Sequence, residues 1–187
     1  YWDSEIKRAQ QEGLSDYPVY TRKAHTDVAY LACARRLLAA RDVVFPLFAT
    51  HNAQTVATLI HDGGVFHHGD YEFQCLHGMG DSLFRQLVAA EDPALKRPVR
   101  VYAPVGHHRS LLAYLVRRLL ENGANSSFVN RIVDDRVAVS ELIRDPGEAA
   151  SVAGGKPHPA IPLPADLYAG RLNSRGFDLA SAGVRRA

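Results

Sequence analysis

The 187-residue chain is 47% hydrophobic and 22% charged, the make-up of a soluble globular protein with material for one sizeable core. A net charge of +2 offers no broad basic surface for nucleic acid or an anionic membrane. No apolar run approaches the ~20 residues of a membrane span, and no signal peptide is expected. Cys33 and Cys75 make neither a disulfide framework nor a zinc motif, which fits a reducing, cytoplasmic setting. The chain opens on Tyr1 and its one methionine is Met79, so we read it as a piece of a larger protein.

In chain order, "DSEIKRAQQEG" predicts a helix over 3–12, with a capping residue and a Gly stop. "YPVYTRK" is short, β-rich and marked by Pro, a candidate strand over 17–23. "TDVAYLACARRLLAA" has helical apolar spacing. "VVFPLFATHN" is an apolar run ending in polar residues, followed by a helix in "NAQTVATLIHDGG". "YEFQCLHG" predicts a strand, "GDSLFRQLVAAED" a helix, "PVRVYAPVGHH" a strand and "RSLLAYLVRRLLENG" a helix. "SSFVNRIVDD" is either a short strand or irregular chain. A rhythm of strand and helix repeated at least four times implies an α/β fold with a parallel sheet and crossover helices. Half of a (β/α)8 barrel followed by a linker fits this length, since a whole barrel takes roughly 250 residues. From about residue 144 the chain is rich in Gly, Pro and Ala without periodicity, and an extended, irregular linker is expected there.

The chemistry gathers at predicted strand ends: Thr50-His51-Asn52, Gln74-Cys75-Leu76 and Tyr102. That is where barrels and open α/β sheets place their sites. Asn52 equally suits a helix N-cap, and His51 can be a ligand donor, a general base or a satisfied core histidine. Cys75 reads as a small buried strand residue. In "LAYLVRRLLENG", Leu112, Leu115, Val116 and Leu119 form one helical stripe, and Tyr114, Arg117, Arg118 and Glu121 another. The polar stripe is either a solvated face with weak Arg–Glu pairs or a pair of guanidinium forks for a carboxylate or phosphate. Gly78-Met79-Gly80 falls short of a dinucleotide fingerprint, which would need a third glycine where Leu83 stands. His67-His68 and His107-His108 lack companion ligands, so no metal is expected.

Taken together, "YWDSEIKRAQ", "FATHNAQTVATLI", "YEFQCLHGMG", "VYAPVG" and "LLAYLVRRLLENGANSSFVNRI" resemble the proline dehydrogenase domain of the bacterial bifunctional proline utilization A family, over about residues 1–145. The resemblance implies the C-terminal part of a distorted (β/α)8 barrel over 1–145. It also implies that 146–187 leads toward a separate aldehyde dehydrogenase domain. It implies FAD-dependent oxidation of L-proline to Δ1-pyrroline-5-carboxylate, with electrons passed to a membrane quinone. In that family Arg117 and Arg118 would grip the proline carboxylate, while Tyr102, Leu76 and Tyr1 would wall the substrate pocket. Trp2, Thr21, Arg22, Lys23, Thr50, His51, Asn52, Gln74, Cys75, Leu76, Glu121, Ser127 and Phe128 would meet FAD. The family's further Asp and Lys from earlier strands have no counterpart here, so the chain alone is expected to be inactive. Membrane contact is expected only through parts outside these residues, and no nucleic acid through this segment. Two other readings remain at this point: a non-catalytic anion-binding barrel module, and a different barrel enzyme, for which Lys23 is the nearest catalytic lysine.

Overall fold

Three short strands set the frame of the computed structural model, which describes residues 2–123 and 128–186. They are β1 (Leu47–Ala49), β2 (Glu72–Leu76) and β3 (Val99–Tyr102), parallel and in the order β1-β2-β3. Helix α3 (Ala53–Gly63) follows β1, α4 (Asp81–Val88) follows β2, and α5 (His108–Gly123) follows β3. These belong to one of two compact units, residues 30–144; the other joins residues 1–29 to 145–187.

Within residues 30–144 the pairing register decides which side chains share a face. Ala49 lies beside Gln74, Gln74 beside Arg100, and Leu76 beside Tyr102. Successive side chains of a strand point to opposite faces. Phe48, Phe73 and Cys75 therefore join the core, with Val99 packed against it, while Gln74, Leu76, Arg100 and Tyr102 share the other face. The core is completed by Val56 and Leu59 of α3, Phe84 and Leu87 of α4, and Ala34 and Leu38 of α2 (Lys23–Ala39). Burying each large apolar side chain contributes about 1.5–3 kcal/mol. Phe48, Phe73 and Phe66 all meet the fully buried Tyr71 ring edge to face, at centroid distances of 5.8, 5.9 and 5.2 Å. Asn52 starts α3 by accepting from the amides of Gln54 and Thr55, as the sequence allows.

On α5, Leu112, Leu115, Val116 and Leu119 are all exposed, whereas Tyr114 and Arg118 are half-buried. The apolar stripe thus faces outward among the described residues, and part of the polar stripe is turned in. The segment left open between strand and irregular chain contains a helix, α6 (Phe128–Ile132), and α7 (Val139–Leu142) follows.

In the other unit, α1 (Trp2–Glu12) buries Ile6 and Ala9, one helical turn apart, and packs on the 3-10 turn Pro164–Asp166. Two expectations are corrected here. Residues 17–23 form no strand: the Asp16 side chain accepts from the Tyr17 amide, bends follow, and α2 already starts at Lys23. The β-rich composition finds no neighbouring strand to pair with. Residues 146–187 are irregular over much of their length, as expected, but not an extended spacer. They contain α8 (Pro146–Val152), which Asp145 caps from the Gly147 amide. The tail then returns to the N-terminal segment: the Tyr17 hydroxyl donates to Pro162 O at 2.6 Å, and Asn173 Nδ2 donates to Gln10 O at 2.8 Å.

Candidate functional site

Alternation along β2 and β3 builds the centre of the site within residues 30–144. Leu76 and Tyr102 stand side by side at the strand ends, locked by a 2.8 Å bond from the His77 amide to Tyr102 O. Two residues earlier on the same face, Arg100 grips Glu72 with both its Nε and, at 3.1 Å, its Nη2. This bidentate pair ties β2 to β3 directly beneath Gln74 and Tyr102.

Helix α5 brings Tyr114 and Arg118 to that same end. The Tyr114 ring meets Tyr102 edge-on at 6.4 Å, and the Arg118 guanidinium carbon lies 5.1 Å from the centre of the Tyr114 ring. Leu76, Tyr102, Tyr114 and Arg118 therefore form one continuous group. Arg117, next along the helix, is exposed. The plain reading of a fully solvated arginine face does not describe Arg118, which is half-buried against an aromatic ring.

The strand-end residues after β1 split in their duties. Thr50 Oγ1 accepts from the Asn52 amide at 3.2 Å, and Asn52 Oδ1 is occupied by capping α3. His51 is half-buried, its ring edge-on to Phe84 at 6.3 Å. Gly80 has φ of 68°, and a Cβ there would come within 3.1 Å of the His51 ring, so glycine makes room for the imidazole. Gln74 is half-buried on the face opposite the core. Cys75 is the small buried strand residue its sequence suggests: its side chain is in the core, on the other face from Gln74 and Leu76, so its sulfur cannot share a ligand with theirs. Burial first, and then the negative charge of Asp81, push its thiol pKa up, which keeps it neutral.

In the unit of residues 1–29 and 145–187, Thr21 is buried and its Oγ1 accepts from the His158 amide at 2.8 Å. Arg22 Nε donates to the carbonyls of Lys156 and Pro157 at 3.0 and 3.2 Å. Lys23 is exposed and paired with Asp27 one turn along, at 2.6 Å. Phe128 is half-buried at the start of α6. Tyr1 and Ser127 lie outside the described residues, as do the side chains of Trp2 and Glu121. Among the described residues, no three His, Cys, Asp or Glu side chains are grouped to hold a metal ion.

Sequence reasoning gave Tyr114 no role of its own and passed over Arg100 and Glu72. Tyr114 sits one turn before Arg118, and Arg100 two residues before Tyr102; both signals were in the periodicities.

The profile of the family described as proline dehydrogenase matches residues 1–131. The chain is 60% identical to the bifunctional protein PutA of Salmonella typhimurium and 58% identical to that of Escherichia coli, covering 97% of this chain and 14% of each relative. A crystal structure of bifunctional proline utilization A (PutA) superposes with a TM-score of 0.87 at 56% identity, over 95% of this chain and 18% of that one. The PutA of Bdellovibrio bacteriovorus, inactivated by N-propargylglycine, superposes at 0.78 with 34% identity, over 95% of this chain and 17% of that one. The chain thus spans about one seventh of the length of its curated relatives.

Proposed function

Because the chain belongs to the proline dehydrogenase family, we propose that the protein carrying it oxidises L-proline to Δ1-pyrroline-5-carboxylate with FAD and passes the electrons to a quinone. The three parallel strands and their helices are then an arc of a (β/α)8 barrel. The exposed stripe Leu112, Leu115, Val116 and Leu119 is a surface for its further elements. The catalysis is cytoplasmic, and contact with the membrane quinone is made by regions outside these residues.

The observation that carries this reading is the Leu76–Tyr102–Tyr114–Arg118 group. Proline is a small zwitterion with an apolar ring. Its carboxylate needs a charge-assisted partner, and its ring needs an apolar wall. Arg118, with its plane steadied by Tyr114, supplies one fork, and Arg117 supplies the second. Leu76 and Tyr102 supply the wall and shut water away from the ring. A guanidinium clamp fixes the orientation of the substrate as well as its affinity.

The donor chemistry of the remaining residues fits a flavin dinucleotide. Half-buried His51, Gln74 and Thr50 offer neutral polar groups, and Arg22 and Lys23 offer positive charge for a diphosphate. Thr21, Asn52, Phe128, Trp2, Glu121 and Ser127 complete the proposed contacts, and Cys75 contributes only backbone. Bound FAD supplies the two-electron acceptor for proline oxidation; the chain supplies position and electrostatics.

The test is to purify the full-length protein and add L-proline without oxygen. Loss of the flavin's visible absorption, with pyrroline-5-carboxylate formed, is the expected result. A protein free of flavin, or a flavin that proline leaves oxidised, overturns the proposal.

A further inference from the structure

We infer that the tail after the α/β segment is a structural part of the flavin pocket, with Lys156–His158 setting the positions of Thr21 and Arg22. The inference rests on the reading above, in which Thr21 and Arg22 meet FAD.

The side chains of both residues are held by tail backbone. The His158 amide donates to Thr21 Oγ1 at 2.8 Å, and this bond orients the hydroxyl of a residue that is only 7% exposed. Arg22 Nε is fixed by two tail carbonyls, at 3.0 and 3.2 Å. That uses one of the five guanidinium donors and aims the rest of the fork. A long, rotatable side chain is thereby pre-organised before any ligand arrives, which lowers the entropy lost on binding.

A second set of bonds holds the tail in place. The end of α1 leaves carbonyls without helical partners, and the tail supplies a donor to one of them and another to Gly13, just past the helix. Asn173 Nδ2 reaches Gln10 O at 2.8 Å, and the Gly176 amide reaches Gly13 O at 2.8 Å. The two glycines interlock. A Cβ on Gly176 would stand 1.7 Å from Glu12 O, and one on Gly13 would stand 1.8 Å from Ser174 O. These are main-chain atoms that cannot step aside, so a methyl group at Gly176 must lift the tail. Gly170, in the same tail, has nothing within 4 Å of its would-be Cβ. It provides a matched control.

The experiment compares Gly176→Ala and Gly170→Ala in the full-length, flavin-loaded protein. It measures amide hydrogen exchange over residues 156–176 and the FAD dissociation constant. Gly176→Ala should speed exchange across the tail and weaken FAD binding by about tenfold or more, with activity recovered by excess FAD. Gly170→Ala should match wild type in both measurements. Faster exchange with unchanged FAD binding overturns the inference, and so does unchanged exchange, because the interlock would then not exist. If Gly176→Ala does not fold, Asn173→Ala removes one tail anchor more gently and supports the same comparison. A wild-type protein that binds no FAD contradicts the proposed function itself, a result distinct from either failure of the tail.

Discussion

The Arg118 guanidinium carbon lies 5.1 Å from the centre of the Tyr114 ring, one helical turn before it on α5. Such a cation–π contact is worth about 0.5–1 kcal/mol when exposed and about 2 when desolvated. Its larger consequence here is orientation, since Tyr114 in turn abuts Tyr102 at the end of β3. Tyr114→Leu keeps an apolar filler but removes the ring face. The KM for proline should then rise about three- to tenfold, with a smaller change in kcat, in steady-state kinetics of the full-length protein. An unchanged KM would mean that Arg118 needs no aromatic support.

In the proposed function His51 serves the cofactor and not a metal. It is half-buried beside Phe84 and Gly80, with no companion ligand set among the described residues. His51→Ala should weaken flavin retention, read as the flavin-to-protein absorbance ratio after gel filtration. Elemental analysis of the wild type should find no stoichiometric metal. Zinc or iron lost together with the imidazole would reverse the assignment.

The two cysteines should differ sharply toward a thiol reagent. Cys33 is exposed, while Cys75 is in the core with its thiol pKa raised by burial and by Asp81. A raised pKa keeps the thiol protonated, and the thiolate is the reactive form. At mildly alkaline pH the native protein should label at Cys33 alone, with Cys75 labelling only on unfolding, as peptide mapping would show. Prompt labelling of Cys75 would mean that the core opens there.

Arg97 is 2% exposed, yet it is bound by no carboxylate among the described residues. Its charge is held by the Tyr71 hydroxyl at 2.8 Å, by the Lys96 carbonyl at 2.8 Å, and by the Phe66 ring at 4.5 Å. Tyr71→Phe removes one acceptor without changing the packing much. The cost should be about 1.5–3 kcal/mol, or roughly 2–4 °C in Tm per kcal/mol for a chain of this size, by thermal unfolding. An unchanged Tm would show that other groups take over the buried charge.

Much of the α/β core was legible because its signals are local. The strands at Glu72–Leu76 and Val99–Tyr102 and the helices after them follow from apolar periodicity, and Asn52 announces its own cap. What stayed hidden depends on partners distant in sequence. Tyr17–Lys23 has strand-like composition but no strand beside it. The tail carries no periodicity, yet it supplies the acceptors and donors that Thr21, Arg22 and the end of α1 use. Cys75 is an intermediate case: strict alternation along "EFQCL" already separates it from Gln74 and Leu76. The outward apolar stripe of α5 shows how an amphipathic pattern predicts two faces but not which of them is covered.

The most direct measurement is the proline dependence of flavin reduction in stopped flow, for wild type beside Arg118→Lys and Arg117→Met in the full-length protein. Lysine keeps the charge and loses the planar fork. A charge-assisted bond to a desolvated carboxylate is worth roughly 1.5–3 kcal/mol. Both variants should retain FAD, and each should lose at least about tenfold in kcat/KM, equivalent to ~1.4 kcal/mol. Wild-type reduction by proline in both would contradict the account and return the two arginines to an ordinary helix surface.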